Sequence, residues 1–245
     1  MESHAETPRQ EPTPGQSPVA LSVIIPTLEE EAALGPTLAA LARVRGLLEV
    51  LVVDGGSRDG TLAVAAAHGA QTLSAPRGRG AQLHAGAQAA RGEVLWFVHA
   101  DTLAPADAAE RIAEALRDPA VVGGSFRLRF GGPRLAARFL TGLQPLFGWL
   151  GLCYGDAAVF VRREAYERSG GFRPWPLFED LDLVRRLRCL GRLTRVSAVV
   201  VASPRRFEGR SFTLTFARWV VLQLLYWLGV PPDRLARHYA NIRGR

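Results

Sequence analysis

Two carboxylates stand at the ends of two apolar runs in this chain. Glu49-Val-Leu-Val-Val runs into Asp54, and Glu93-Val-Leu-Trp-Phe-Val-His99-Ala runs into Asp101. In an open α/β sheet, ligands bind outside the carboxyl ends of the strands, so these two strands aim both acids at one crevice. Asp54 opens the turn Gly55-Gly56-Ser57-Arg58-Asp59-Gly60-Thr61, whose glycines permit close backbone approach by a ligand. Ala75-Pro76-Arg77-Gly78-Arg79-Gly80-Ala81-Gln82 adds two arginines on a Gly-rich loop before a helix, a form that holds phosphate through side chains and backbone N–H groups. The chemistry these features share is handling of a nucleotide diphosphate through a divalent metal. Each also has a plain structural reading: Asp-Gly and Ser-x-Asp are common in turns and caps, and Pro26-Thr27-Leu28-Glu29-Glu30 is ordinary helix-entry sequence.

The elements that must position these residues alternate. Strands are predicted at Leu21–Ile25, Glu49–Val53, 70–74 and Glu93–Val98, with helices over 29–44, Asp59–His68 (Asp59 as N-cap), Gly80–Arg91 and Pro105–Arg117. Short connections between them give an α/β fold with a mixed, mostly parallel sheet flanked by helices. Further on, Val121–Phe130 and Ala157–Val161 read as strands and Asp180–Leu190 as a helix, while Pro133–Leu152 is apolar and broken by Gly and Pro. The stretch Phe216–Val230 is the most hydrophobic in the chain, interrupted by Arg218 and Gln223. It is too short for a confident transmembrane span and fits either a buried C-terminal helix or a membrane interface, with Pro231-Pro232 as its stop.

Bulk properties narrow the class. A chain of 245 residues, 48% hydrophobic, is long enough for one large domain with a core. The expected division is a disordered tail over 1–18, the main domain over 19–212, and a C-terminal helical segment over 213–245 packed on that domain or at a membrane interface. All 30 basic side chains other than His are Arg, and the net charge is +7, which suits phosphate or anionic lipid. No nucleic-acid-binding module is recognisable, so no nucleic-acid partner is expected. Cys153 and Cys189 are too few for a disulfide scaffold and read as buried small hydrophobes; with no signal peptide visible, the expected location is the cytoplasm, extending to the inner face of the cell membrane.

Taken in order and spacing, Pro-Thr-x-Glu-Glu, Val-Val-Asp-Gly-Gly-Ser-x-Asp-Gly-Thr, Arg-Gly-x-Gly-x-Gln and His-Ala-Asp-Thr resemble a family 2 glycosyltransferase of GT-A (Rossmann-like) fold. The match continues through Tyr154-Gly155-Asp156, Gly170-Gly171-Phe172, Phe178-Glu179-Asp180-Leu181-Asp182 and Ser203-Pro204-Arg205-Arg206. It is nearest to a bacterial subgroup associated with radical-SAM and selenium-related genes. The resemblance implies an inverting transfer from a nucleotide-diphosphate sugar, UDP-linked as the commonest case, to a small-molecule or lipid-linked acceptor. It implies that Pro26, Thr27, Glu29, Asp54, Gly55, Arg77 and Gln82 surround the donor nucleotide, that Asp101 supplies the last acid of the metal motif, and that Arg205 and Arg206 clamp the diphosphate. Tyr154, Gly155 and Asp156 would face the acceptor, with Asp180, beside Glu179, as general base.

Two departures stand out: Gly55 replaces a second acid, and His99 replaces the first acid of the metal motif. A His–Asp pair favours Mn2+ over Mg2+, although either serves as the implied cofactor. Alternatives are a lipid-phosphate glycosyltransferase at a membrane surface, with peripheral contact through Phe216–Val230, and a non-catalytic nucleotide-sugar binder. A pyrophosphorylase would need a basic Gly-rich loop after strand one, and a dinucleotide-binding dehydrogenase a Gly-x-Gly-x-x-Gly there; neither is present.

Overall fold

Strands and helices alternate through the first half of the chain, and the reason is visible in burial. In the computed structural model, which describes residues 19–131, 141–142, 157–203 and 212–243, strand β1 (Leu21–Thr27) is almost wholly buried. β2 (Leu47–Asp54) and β4 (Val94–Phe97) pair with it on either side, both parallel, and β3 (Gln71–Ser74) extends the sheet beyond β2. Helices α1 (Glu31–Leu41), α2 (Thr61–Ala67), α3 (Arg79–Ala89) and α4 (Ala108–Ala115) link these and the following strands. Strands covered on both faces read as continuous apolar runs, which is why Ile24-Ile25 and Leu51-Val52-Val53 do not alternate with polar residues.

Beyond β4 the sheet becomes mixed. Its order is β3-β2-β1-β4-β7-β6-β8-β5, with β5 (Thr102–Leu103), β6 (Val121–Phe130), β7 (Phe160–Arg162) and β8 (Arg192–Ala202). β7 runs antiparallel to both β4 and β6, while β6 and β8 are parallel. On β6, Arg127 and Arg129 point to solvent and Phe126 and Leu128 to the core, as the alternation predicts. The helices α5 (Arg163–Arg168) and α6 (Glu179–Arg188) follow β7.

One core lies under α1, α2 and α4, where Trp96 stacks on Phe126. A second lies on the opposite face, built from Ile24, Val53, Leu83, Phe97, Phe172, Leu183 and Leu187 under α3 and α6. Arg163 donates to the carbonyls of Ala87, Ala90 and Gly92, satisfying the C-terminal end of α3. At the amino edge of the sheet, Glu49 accepts from Ser22 Oγ and from the backbone and side chain of Arg91, and so ties β1, β2 and the entry to β4 together. Burial alone raises the Glu49 carboxyl, but the hydrogen bonds from Arg91 and Ser22 and the Arg91 charge outweigh it, and the net shift is downward.

Three expectations need correction. Cys189 is exposed rather than buried: it follows the last turn of α6, where Leu187 takes the core position and the Cys189 thiol faces outward. Pro231-Pro232 does not stop the hydrophobic helix. That helix, α7 (Phe212–Trp227), is followed by a turn at Gly229 (φ +86°), and Pro232 begins α8 (Pro232–Arg243), where its fixed φ suits a first helical turn. Nor is Asp59 the N-cap of α2; Gly60 is, with Asp59 one residue earlier and accepting from the Thr61 N–H. No helix among the described residues is long and apolar enough to cross a membrane.

Candidate active site

The loops after β1 and β2 form one side of the site, and they are stitched to each other. Glu29 has φ +55°, so α1 starts only at Glu31, and the N–H groups of residues 29–31 turn outward. Those of Glu29, Glu30 and Glu31 donate to Ser57 Oγ, Thr61 Oγ1 and Asp59 Oδ2. In return, Glu29 and Glu31 accept from the N–H groups of Arg58 and Gly60. The side chains of Glu29, Glu31, Asp59 and Thr61 are thereby committed to holding two loops in register.

Asp54 sits at the centre of this lacing and is 3% exposed. Its Oδ2 accepts from the Gly56 and Ser57 N–H groups at 2.9 Å each. Its Oδ1 accepts from Ser57 Oγ at 2.5 Å and Thr27 Oγ1 at 3.3 Å. A carboxylate offers about four acceptor sites, and all are used here. Burial raises the Asp54 carboxyl, but the bonds from Ser57, Gly56 and Thr27 prevail and hold it below the usual range. Gln82 is likewise occupied: from α3 its Nε2 donates to the carbonyls of Thr27 (2.7 Å) and Val53 (2.8 Å), joining the ends of β1 and β2. Gly55 lies against that amide, where a Cβ would come within 3.1 Å of it. Arg77 is exposed on the loop before α3, and the half-buried Pro26 is in β1, paired with Val53.

The opposite side of the site is α6. Phe178, left-handed at φ +63°, turns the chain into a helix whose first turn carries Glu179, Asp180 and Asp182. Acids are favoured at a helix N-terminus, yet these are 1%, 6% and 0% exposed, far more buried than caps need to be. Asp182 is matched by Arg186, at 2.6 Å, and by Arg173. Glu179 pairs with Arg79 at the start of α3, and the same guanidinium lies 3.6 Å from Asp180 Oδ2. Asp180 Oδ1 accepts from the Leu181 N–H. Glu179 Oε2 is buried with no hydrogen-bond partner among the described residues. Gly80 permits this meeting, because a Cβ there would run into the Arg173 carbonyl.

Arg79, His99, Glu179 and Asp180 line one pocket, whose apolar walls include Leu83, Phe97, Phe172 and Leu183. His99 enters it from the turn after β4. Around that turn Thr37 Oγ1 donates to the Ala100 carbonyl, Thr102 N–H to that of His99, and Ser203 N–H to that of Asp101. The turn holding His99 and Asp101 is thus braced from α1 and β8. Tyr154, Gly155, Asp156, Arg205 and Arg206 lie outside the described residues.

The described residues contain no cluster of three or more His, Cys, Asp or Glu able to cage a metal. One imidazole and one carboxylate on a braced turn instead fit an ion that takes most of its ligands from substrate phosphate and water. Arg79, which the sequence offered only as a phosphate-loop arginine, instead meets the acids of α6. Its signal was the second arginine of Arg-Gly-Arg-Gly, but its pairing with Glu179, a hundred residues on, needed the fold.

Residues 22–173 match the family described as Glycosyl transferase family 2, more than half of the chain. This chain belongs to glycosyl transferase family 2. Its relatives include a PGL/p-HBAD biosynthesis glycosyltransferase of Mycobacterium tuberculosis, 32% identical over 209 residues and covering 79% of each chain. An uncharacterised glycosyltransferase of the same organism is 37% identical over 110 residues, 44% of this chain; the match spans about half (49%) of that relative's length. Among solved structures, glucosyl-3-phosphoglycerate synthase from M. tuberculosis with Mn2+, UDP and glucosyl-3-phosphoglycerate superposes with TM-score 0.62 at 23% identity, over 91% of this chain and 88% of that one. S. aureus TarS with UDP-GlcNAc gives 0.60 at 19% identity, over 79% and 60%. A mannosyltransferase from Pyrobaculum calidifontis with GDP-Man and Mn2+ gives 0.58 at 22%, over 76% and 57%. At these identities the structural likeness establishes the GT-A fold.

Proposed function

We propose that this family 2 member transfers a sugar from a nucleotide-diphosphate sugar to an acceptor hydroxyl with inversion at the anomeric carbon. The observation that carries the reading is the convergence of Arg79, His99, Glu179 and Asp180 on one pocket beyond the carboxyl ends of the strands. Asp180 takes the acceptor proton as the acceptor oxygen bonds to the anomeric carbon and the bond to the diphosphate oxygen breaks. Arg79, beside Asp180, balances the carboxylates on α6 while the site waits for substrate. Asp101 and His99 are the residues that would hold a divalent ion, Mn2+ before Mg2+; such an ion supplies neutralisation of charge on the departing diphosphate.

On the donor side, Asp54 and Gln82 act by shaping the wall that Pro26, Thr27, Glu29 and Gly55 present to the nucleotide, and Arg77, Arg205 and Arg206 reach its phosphates. Tyr154, Gly155 and Asp156 face the acceptor. UDP is the favoured donor nucleotide, since glucosyl-3-phosphoglycerate synthase and TarS both have UDP-containing complexes; the GDP-Man complex of the mannosyltransferase makes GDP the competing choice. The domain limits in this reading are 19–212 for the catalytic unit and 213–245 for its helical extension. It includes membership of the radical-SAM- and selenium-associated subgroup, on the His-Ala-Asp form of the metal motif.

The test is direct. The purified protein with Mn2+ is expected to hydrolyse a UDP-sugar slowly, and Asp101→Ala to abolish the reaction. Calorimetry that detects no UDP- or GDP-sugar binding in the presence of Mn2+ would falsify the enzyme reading and leave only the fold.

A further inference from the structure

We infer that the outward face of α7 docks this protein on an anionic lipid surface. Leu214, Val221, Leu224 and Leu228 recur at intervals of seven, three and four residues, so they form one stripe along the helix. They are 52%, 53%, 48% and 80% exposed, and Trp227 beside them is 54% exposed. Among the described residues, the other large apolar side chains open to solvent are Leu48, Leu62, Leu103 and Val199, each on a different element. The opposite face of α7 already has its place: Leu222, Leu225 and Tyr226 pack on Leu177, Phe178 and Leu181. The exposed stripe is therefore a second apolar face, on a helix whose core-facing side is already packed.

Charge decides the occupant. From Phe212 to Arg243 the sequence holds one acid, Asp233, against Arg218, Arg234, Arg237 and Arg243. Arg218, Arg234 and Arg237 are exposed. A second copy meeting this face across a two-fold axis would bring like charges together. A bilayer rich in anionic lipid answers both the arginines and the leucines, with Trp227 at headgroup level. A helix of 16 residues is about 24 Å long, short of the roughly 30 Å hydrocarbon core, so it lies in the interface and does not span it. The inference does not depend on the sugar-transfer reading.

Flotation of the full chain with phosphatidylcholine vesicles, with and without phosphatidylglycerol, tests it. Co-flotation is expected with phosphatidylglycerol only, falling as salt is raised because exposed charges are screened. Leu224→Ser with Leu228→Ser is expected to reduce binding at least about tenfold, and Arg218→Gln with Arg234→Gln to erase the preference for the anionic lipid. These side chains are exposed, so an unchanged Tm accompanies the loss, and wild-type tryptophan emission shifts to the blue on binding. Failure to float with phosphatidylglycerol vesicles overturns the inference. So does flotation that ignores both pairs of substitutions, or a concentration-dependent dimer that Leu224→Ser with Leu228→Ser dissolves.

Discussion

The loops after β1 and β2 and the first turn of α6 both gather acids at the same end of the sheet, yet they treat them in opposite ways. Around Asp54 every carboxylate site is taken by a donor from the same two loops. At the pocket, the Arg79 guanidinium reaches both buried carboxyl groups, and Glu179 Oε2 has no hydrogen-bond partner among the described residues. The saturated acid Asp54 builds a wall, whereas the open oxygen of Glu179 keeps capacity for a substrate. Unmet buried polar groups are costly, so their retention at the pocket is itself a functional signal.

The contrast can be broken by substitution, most severely at the base. Asp180→Asn is expected to lower transfer by about 10²- to 10⁴-fold while donor binding, read by calorimetry, is retained; an equal loss of donor affinity would mean its role lies on the donor side. Arg79→Met strands buried Glu179 without its cation, and a destabilisation of roughly 3 kcal/mol in urea unfolding is expected, recovered in part by adding Glu179→Gln. Gly80→Ala drives a methyl group toward the Arg173 carbonyl, at a cost of about 1–3 kcal/mol; wild-type stability in that variant would show the loop yields freely.

Asp54→Asn sharpens the comparison through pH. The Asp54 carboxyl is held low in the folded chain, so its contribution is complete above the ordinary carboxylate value near pH ~4 and is lost as pH falls through the folded value. Removing it should cost about 1–2 kcal/mol at neutral pH and flatten the acid limb of the stability curve. A variant as acid-sensitive as the parent would shift that limb to other groups, Glu49 first. Smallest is Arg111→Ala: its partners Asp107 and Glu114 are exposed at the start and end of α4, and a urea midpoint indistinguishable from the parent's is expected.

The order of the fold's first half was legible because its strands are uninterrupted apolar runs punctuated by Gly, Pro and Asp. β1, β2 and β4 end within two residues of their expected limits, and β6 matches throughout. β8 was not legible. Its residues Arg192, Thr194 and Arg195 dilute the pattern, and it exists because β6 offers a parallel partner with two register irregularities. β5 spans two residues and is defined by its pairing with β8. At the site, the family resemblance pointed to His99, Glu179 and Asp180, which line one pocket, and to Asp101, which lies on the turn beside it. It could not tell that Gln82 joins two strand ends or that Glu29 answers Arg58, since a polar side chain's partner is a property of the fold.

Phe178 stacks on Tyr226 of α7 at 4.7 Å, directly before the two acids of the pocket. Burial, with the negative charges of Asp182 and Asp180, raises the Tyr226 phenol, another mark of how near that helix stands to the acids. Trimming the chain ahead of Phe212 would therefore remove a buttress from the reaction centre along with any lipid-facing surface. Engineers seeking a more soluble version of this protein should recolour the outside of α7, residue by residue, and leave its backbone in place.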